Sequence, residues 1–271
     1  MGKRRILRAK GPRRGIKTTR IVLPRELHAG RQRMFYFEAG VGAPVVMIHG
    51  LGGSSRWWFP LFPELTSANF RVLAPDLPGF GRSPGPMLPV AEAAKAVIGL
   101  ADRIGLAQFF LCGHSRGGAI AAQIAADYRG RVRRLVLIDS AGIPGVGLGR
   151  LVGRLLQPWS WCPLGFYTTL LGDVIKAGPQ TMLGGLRELR DYDMRPVLER
   201  VRVPSLVIWG KNDTLTPPEH GRRIVDRLAN ARLELVPKAR HLPMLTHPET
   251  VSRLAVAFFI EDIKEETQRP S

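Results

Sequence analysis

The sequence predicts an α/β fold: a mostly parallel, doubly wound sheet of eight strands with a helical insertion over its strand ends. Two observations predict it. Short runs rich in Val, Ile, Leu and Phe alternate with segments of helical periodicity along most of the 271 residues, the pattern of successive βαβ units. Several of those runs are apolar throughout, as strands covered on both faces are. A chain of this length buries one full core, so a single domain is expected.

Taken in order, Arg20–Leu23 and Met34–Glu38 read as two opening strands, and Val45–Ile48 follows the turn Gly40–Pro44. Further strands are expected at Val72–Ala74, Phe109–Cys112, Leu135–Ile138, Ser205–Trp209 and Leu233–Val236. Between them Val90–Ile104, Arg116–Arg129, Pro218–Leu228 and Glu249–Ile263 have helical character. Thr216 before Pro217 and Pro218 suits a helix start, where a missing N–H costs nothing. The interval 141–189 breaks the rhythm. It is rich in Gly, Leu and Trp, offers no sheet strand, and holds no acid before Asp173. The organisation expected is a basic arm (1–19), a core (20–140 and 190–263), a cap insertion (141–189) and a short tail (264–271). In such sheets ligands bind at the carboxyl ends of the strands.

Charge is the unusual property, at +18. Residues 1–33 hold twelve Lys and Arg against one acid, Glu26. Such an arm either meets an anionic surface, phospholipid or nucleic acid, or is a solvated tail. Nucleic acid ranks last, because the arm lacks interleaved aromatics and any reading motif. The acid-poor, apolar insertion suits a lipophilic pocket roof or a membrane-facing surface. No apolar run approaches the roughly 18–20 residues of a transmembrane helix, and Met1–Arg14 leads into no apolar stretch of a secretory signal. Two cysteines, Cys112 and Cys162, make no disulfide framework, so a cytoplasmic setting is expected, with peripheral membrane association open.

The chemistry concentrates in Cys112-Gly113-His114-Ser115-Arg116-Gly117-Gly118, where an apolar strand runs through Gly-x-Ser-x-Gly into a helix. The glycines allow a tight turn that lifts the Ser115 hydroxyl to a helix N-terminus, where a developing anion is favoured. The bland alternative is a serine that caps the helix. With this motif the chain resembles the α/β-hydrolase superfamily, from about Ile21 to Ile263. By that resemblance His49-Gly50-Leu51-Gly52-Gly53-Ser54 is similar to the oxyanion loop, and the backbone N–H groups of Leu51 and Arg116 are the implied donors. Asp76-Leu77-Pro78-Gly79-Phe80-Gly81-Arg82-Ser83 is similar to the loop after the next strand and reads as pocket-framing.

A nucleophilic serine needs a base, and the base an orienting acid. The superfamily order of Ser, acid, His implies Asp213, in Gly210-Lys211-Asn212-Asp213, and His241, in His241-Leu242-Pro243-Met244. Asp139 is the rival acid and His247 the rival base, while an Asx-turn is the alternative role for Asp213. Trp57, Trp58, Trp159, Trp161, Phe166 and Tyr167 either line a substrate pocket or pack the cap. No metal-ligand spacing and no phosphate-cradling glycine loop occurs, so no cofactor and no metal are expected. The resemblance implies cleavage of a carboxylic ester or related acyl bond of a lipophilic small molecule through an acyl-serine. A serine at this position argues against the branches that need a carboxylate nucleophile. Acyl transfer, C–C bond hydrolysis, perhydrolysis and a non-catalytic binding role share the same residues and stay open.

Overall fold

The computed structural model describes residues 23–29, 32–144 and 164–268. The arm 1–19, Trp159 and Trp161 lie outside the described residues. Eight strands form one sheet: β1 Leu23–Ala29, β2 Gln32–Ala39, β3 Ala43–Ile48, β4 Phe70–Pro75, β5 Phe109–His114, β6 Val132–Ile138, β7 Ser205–Gly210 and β8 Ala231–Val236. Their spatial order is β1-β2-β4-β3-β5-β6-β7-β8. The first two form an antiparallel pair, β2 meets β4 antiparallel, and all later pairings are parallel.

The helices are α1 Phe62–Ser67, which continues the 3-10 segment Ser55–Leu61, then α2 Val90–Ile104 and α3 Arg116–Asp127. After β6 come α4 Tyr167–Asp191 and α5 Arg195–Leu198, and the chain closes with α6 Pro218–Val225, α7 Pro243–Thr246 and α8 Pro248–Thr267. Strand side chains alternate between two cores, as a period of two requires. Val46, Ile48, Leu111 and Leu137 pack with α2 and α3 on one face. Val45, Met47, Phe110 and Cys112 pack with α1 and α8 on the other. The sheet is therefore covered on both faces, which explains its continuous apolar runs.

The two ends of the chain differ most from expectation. The opening strand runs Leu23–Ala29, with Arg20–Val22 outside the described residues. It is an edge strand whose Arg25, Glu26 and His28 are exposed, so no apolar run marks it. Arg25 reaches Glu38 at 3.3 Å and Arg33 reaches Glu26 at 3.1 Å across the hairpin. At the other end α8 continues to Thr267, into the expected tail. It is stapled to β6 by the buried Arg134, which contacts Glu261 at 2.9 Å and Glu265 at 2.7 Å. Between β6 and β7 the described part of the insertion is helical, with α4 bent at Gly178 (φ 79°) before Pro179. Among the described residues no helix is long and apolar enough to cross a membrane.

Candidate active site

Ser115 ends β5 and begins α3 with φ 52° and ψ −120°, a backbone conformation that a side chain rarely tolerates. The turn is that sharp because α3 doubles back onto the strand. A Cβ on Gly113 would lie 2.3 Å from Gly117 O, and one on Gly117 would lie 2.2 Å from Ile48 O. Gly-x-Ser-x-Gly is thus a requirement of close packing here. Ser115 makes no side-chain cap hydrogen bond to α3, which removes the capping role.

The three residues that the family resemblance implies come together. His241 Nε2 lies 3.1 Å from Ser115 Oγ, and His241 Nδ1 lies 2.8 Å from Asp213 Oδ2. All three are buried. With Nδ1–H donated to the carboxylate, Nε2 presents its lone pair to the serine hydroxyl. Asp213 performs the Asx-turn as well: Oδ1 accepts from Leu215 N–H at 2.7 Å and Thr216 N–H at 3.1 Å, leaving Oδ2 for the imidazole. The two readings of this residue describe the two oxygens of one carboxylate. Burial opposes its charge, but the imidazole of His241, with hydrogen bonds from His241, Thr216 and Leu215, holds the carboxyl below the usual range.

The rival acid, Asp139, lies beside Asp213, and the rival base, His247, lies beside Thr246. Asp139 ends β6 in a left-handed conformation (φ 41°) and is fully buried. Its Oδ1 accepts from Gly210 N–H at 2.8 Å, while Oδ2 has no partner among the described residues. Burial, reinforced by the charge of Asp213, pushes its carboxyl well above the usual range, favouring the neutral acid. His247 Nδ1 contacts Thr246 Oγ1 at 2.9 Å, beside the start of α8.

Three neighbours hold the arrangement in place: the loop hydrogen bonding of His49 is as the resemblance implies, while the contacts of Thr216 and His114 escaped the sequence reading. Thr216 Oγ1 donates to Asp213 Oδ2 at 2.6 Å and lies 3.2 Å from His241 Nδ1. His114 Nε2 donates to the carbonyl of His241 at 2.8 Å, which fixes the backbone of the base. Burial, then the adjacent His241, pushes the His114 imidazole well below its usual range. His49 Nδ1 donates to Gly50 O at 2.8 Å, and Nε2 accepts from Leu77 N–H at 3.0 Å. Asp76 completes that frame, accepting from Ser55 N–H at 2.6 Å and Arg82 N–H at 2.8 Å. The loop after β3 is thereby pinned beside the serine, where a Cβ on Gly50 would lie 3.1 Å from Ser115 Cβ.

From above, α4 grips the same loops with two carboxylates. Asp173, 1% exposed, accepts from Ser54 Oγ at 2.7 Å and Trp57 Nε1 at 3.1 Å and pairs with Arg56. Glu188 accepts from Arg116 Nε at 2.6 Å and from Val90 N–H at 2.8 Å. The Arg116 side chain is buried in that contact. Leu51 is half-buried beneath α4, so close that a Cβ on Gly185 would lie 2.2 Å from its Cδ1. Alanine at Asp173 would strand two buried donors and is expected to cost about 2–4 kcal/mol, read as a lower urea midpoint with an unchanged slope.

The aromatic candidates divide. Trp57 is buried, with its ring 5.9 Å from that of His114 and 6.4 Å from that of Phe166. Phe166 and Tyr167 are half-buried at the start of α4. Trp58 is fully enclosed in the core that contains α1 and α8 and offers no surface to a ligand.

The model of the alpha/beta hydrolase family matches residues 45–254. A pimeloyl-[acyl-carrier protein] methyl ester esterase of Neisseria meningitidis is 30% identical over 236 residues, covering 78% of this chain and 90% of that protein. A 2-hydroxy-6-oxo-6-phenylhexa-2,4-dienoate hydrolase of Burkholderia cepacia is 26% identical over 275 residues, covering 89% and 96%. Among solved structures, a putative lipase of Acinetobacter baumannii superposes with a TM-score of 0.80 at 24% identity, covering 90% of this chain and 93% of that one, a likeness of fold. With its core matched from β3 into α8, the chain belongs to the alpha/beta hydrolase family.

Proposed function

We propose that the chain is a serine hydrolase that cleaves a carboxylic ester of a lipophilic small molecule through an acyl-Ser115 intermediate. The observation that carries this reading is the unbroken relay from Ser115 Oγ to His241 at 3.1 Å and on to Asp213 at 2.8 Å. His241 Nε2 takes the hydroxyl proton as Oγ attacks the acyl carbon. It then gives that proton to the leaving alkoxide, and a water activated by the same nitrogen releases the acid. Asp213 keeps the imidazole in the Nδ1–H form and offsets its charge in the transition state. The backbone N–H groups of Leu51 and Arg116 receive the oxyanion, each worth about 3 kcal/mol. Trp57, whose ring lies 5.9 Å from that of His114, and Phe166 of the cap beside it supply apolar walls to the acyl group. No cofactor enters this chemistry.

A second reading, hydrolysis of a C–C bond in a dienoate, is favoured by the likeness to the Burkholderia cepacia enzyme. The tests separate both readings from a binding protein. A fluorophosphonate probe is expected to label the chain and to leave Ser115→Ala unlabelled. A parallel screen of short- and long-chain p-nitrophenyl esters and of 2-hydroxy-6-oxodienoates identifies the bond. Absence of labelling and turnover would leave a ligand-binding protein on this fold.

A further inference from the structure

Helix α4 presents apolar side chains outward as well as inward. Of its three acids, Asp173 and Glu188 face the core and are bound there. On the outer side, before and after the break at Gly178, Leu171, Ile175, Pro179, Leu183 and Arg187 are all exposed. Leu171 is 61% exposed, Ile175 69% and Leu183 54%, three of the five large apolar side chains most open to solvent among the described residues. Lys176 and Arg187 flank them. The one outward acid, Asp191, sits at the last residue and is paired with Arg190 at 2.6 Å. An ordinary surface helix turns its apolar side inward and its charges out. Apolar side chains flanked by cations and kept clear of acids suit the boundary between phospholipid headgroups and acyl chains.

We propose that this stripe docks on an anionic phospholipid surface, with Leu171, Ile175 and Leu183 entering the bilayer boundary and Lys176 and Arg187 meeting headgroup phosphates. Charge complementarity selects this occupant. The chain carries +18, its first 33 residues hold twelve cations, and residues 141–172, which lead into the stripe, include Arg150 and Arg154 but no acid. The opposite face of α4 touches the loop beside Ser115, with Val174 and Met182 against Gly52. The docked stripe therefore lies roughly one helix diameter, ~10 Å, from the candidate oxyanion loop. Docking does not depend on turnover by Ser115, and its readout is separate.

The test is co-sedimentation of the full chain with phosphatidylcholine vesicles, with and without phosphatidylglycerol, at low and high salt. The wild type is expected to sediment with the anionic vesicles and to be released by salt. Leu171→Glu/Ile175→Glu and Lys176→Glu/Arg187→Glu should each lower the bound fraction, the first by about tenfold in partition coefficient. Their circular dichroism melts should match the wild type, since these side chains face outward. Wild type left in the supernatant at low salt overturns the proposal. So does equal binding by both variants, which would assign the lipid contact to the arm alone. A concentration-dependent dimer that Leu171→Glu/Ile175→Glu abolishes would overturn it in favour of a second copy of the chain.

Discussion

Alanine at position 115 is expected to lower ester turnover by on the order of 10⁴–10⁶-fold and to leave KM within a few-fold of wild type. Only the attacking atom is lost. The oxyanion donors proposed at Leu51 and Arg116 are backbone groups and stay in place. Stability is expected to change little, because the Ser115 hydroxyl caps no helix and its recorded partner is His241. The strained backbone at φ 52° is kept by the glycine packing around it, so the variant should retain the wild-type melting profile. Kinetics on esters, a thermal melt and probe labelling check all three expectations. Unchanged turnover in a preparation free of wild type would remove Ser115 as the nucleophile.

The second large effect separates the two aspartates. Asp213→Asn is expected to lower kcat about 10⁴-fold, because an amide N–H can hold the wrong imidazole tautomer, with Nε2 protonated toward the serine. Asp139→Asn should leave kcat within a few-fold, and its signature lies in stability. Asp139 has a folded pKa raised above its unfolded value of about 3.9, so the neutral acid is the form the fold prefers. Below that unfolded value the native state bears no penalty from this group. As pH rises from there toward the folded pKa, the unfolded chain is increasingly favoured. Asparagine cannot ionise, so Asp139→Asn should raise the melting temperature at pH 7 and lose that advantage below about pH 4. Asp213 has the opposite sign: its lowered pKa contributes stability above the unfolded value, lost as pH falls through the folded one. Comparable losses of activity in the two variants would move the acid from β7 to β6.

What the sequence shows and hides follows from distance along the chain. Strand β5, the serine and α3 are contiguous, so the turn and its glycines can be read as one string. Asp213 and its Asx-turn are equally local, and the parallel strands declare themselves because both faces are apolar. The edge strand β1 was displaced because its solvent-facing charges carry no hydrophobic period. The grip of α4 on the core was not legible at all. Asp173 meets Ser54 across 119 residues and Glu188 meets Arg116 across 72, and nothing local distinguishes these two acids from Asp191. The same holds for His114, whose partner is the backbone carbonyl of a residue 127 positions away. Trp57 and Trp58 are adjacent in sequence, yet only one faces the site, a choice made by the helical segment that carries both.

The two inward carboxylates of α4 bear on how freely such an insertion can be exchanged. A foreign cap grafted onto this core would leave the Ser54 hydroxyl and the Trp57 indole N–H without this acceptor and the buried Arg116 guanidinium without its counter-charge. The reverse graft would carry two carboxylates onto a core with no matching donors. Either mismatch strands buried polar or charged groups, at several kcal/mol. Recombination at the insertion boundaries therefore succeeds only where Ser54, Arg56, Trp57 and Arg116 travel with the cap. The unit that can be shuffled is the cap together with two loops of the core, and variation in the cap is tied to a handful of positions far from it in sequence.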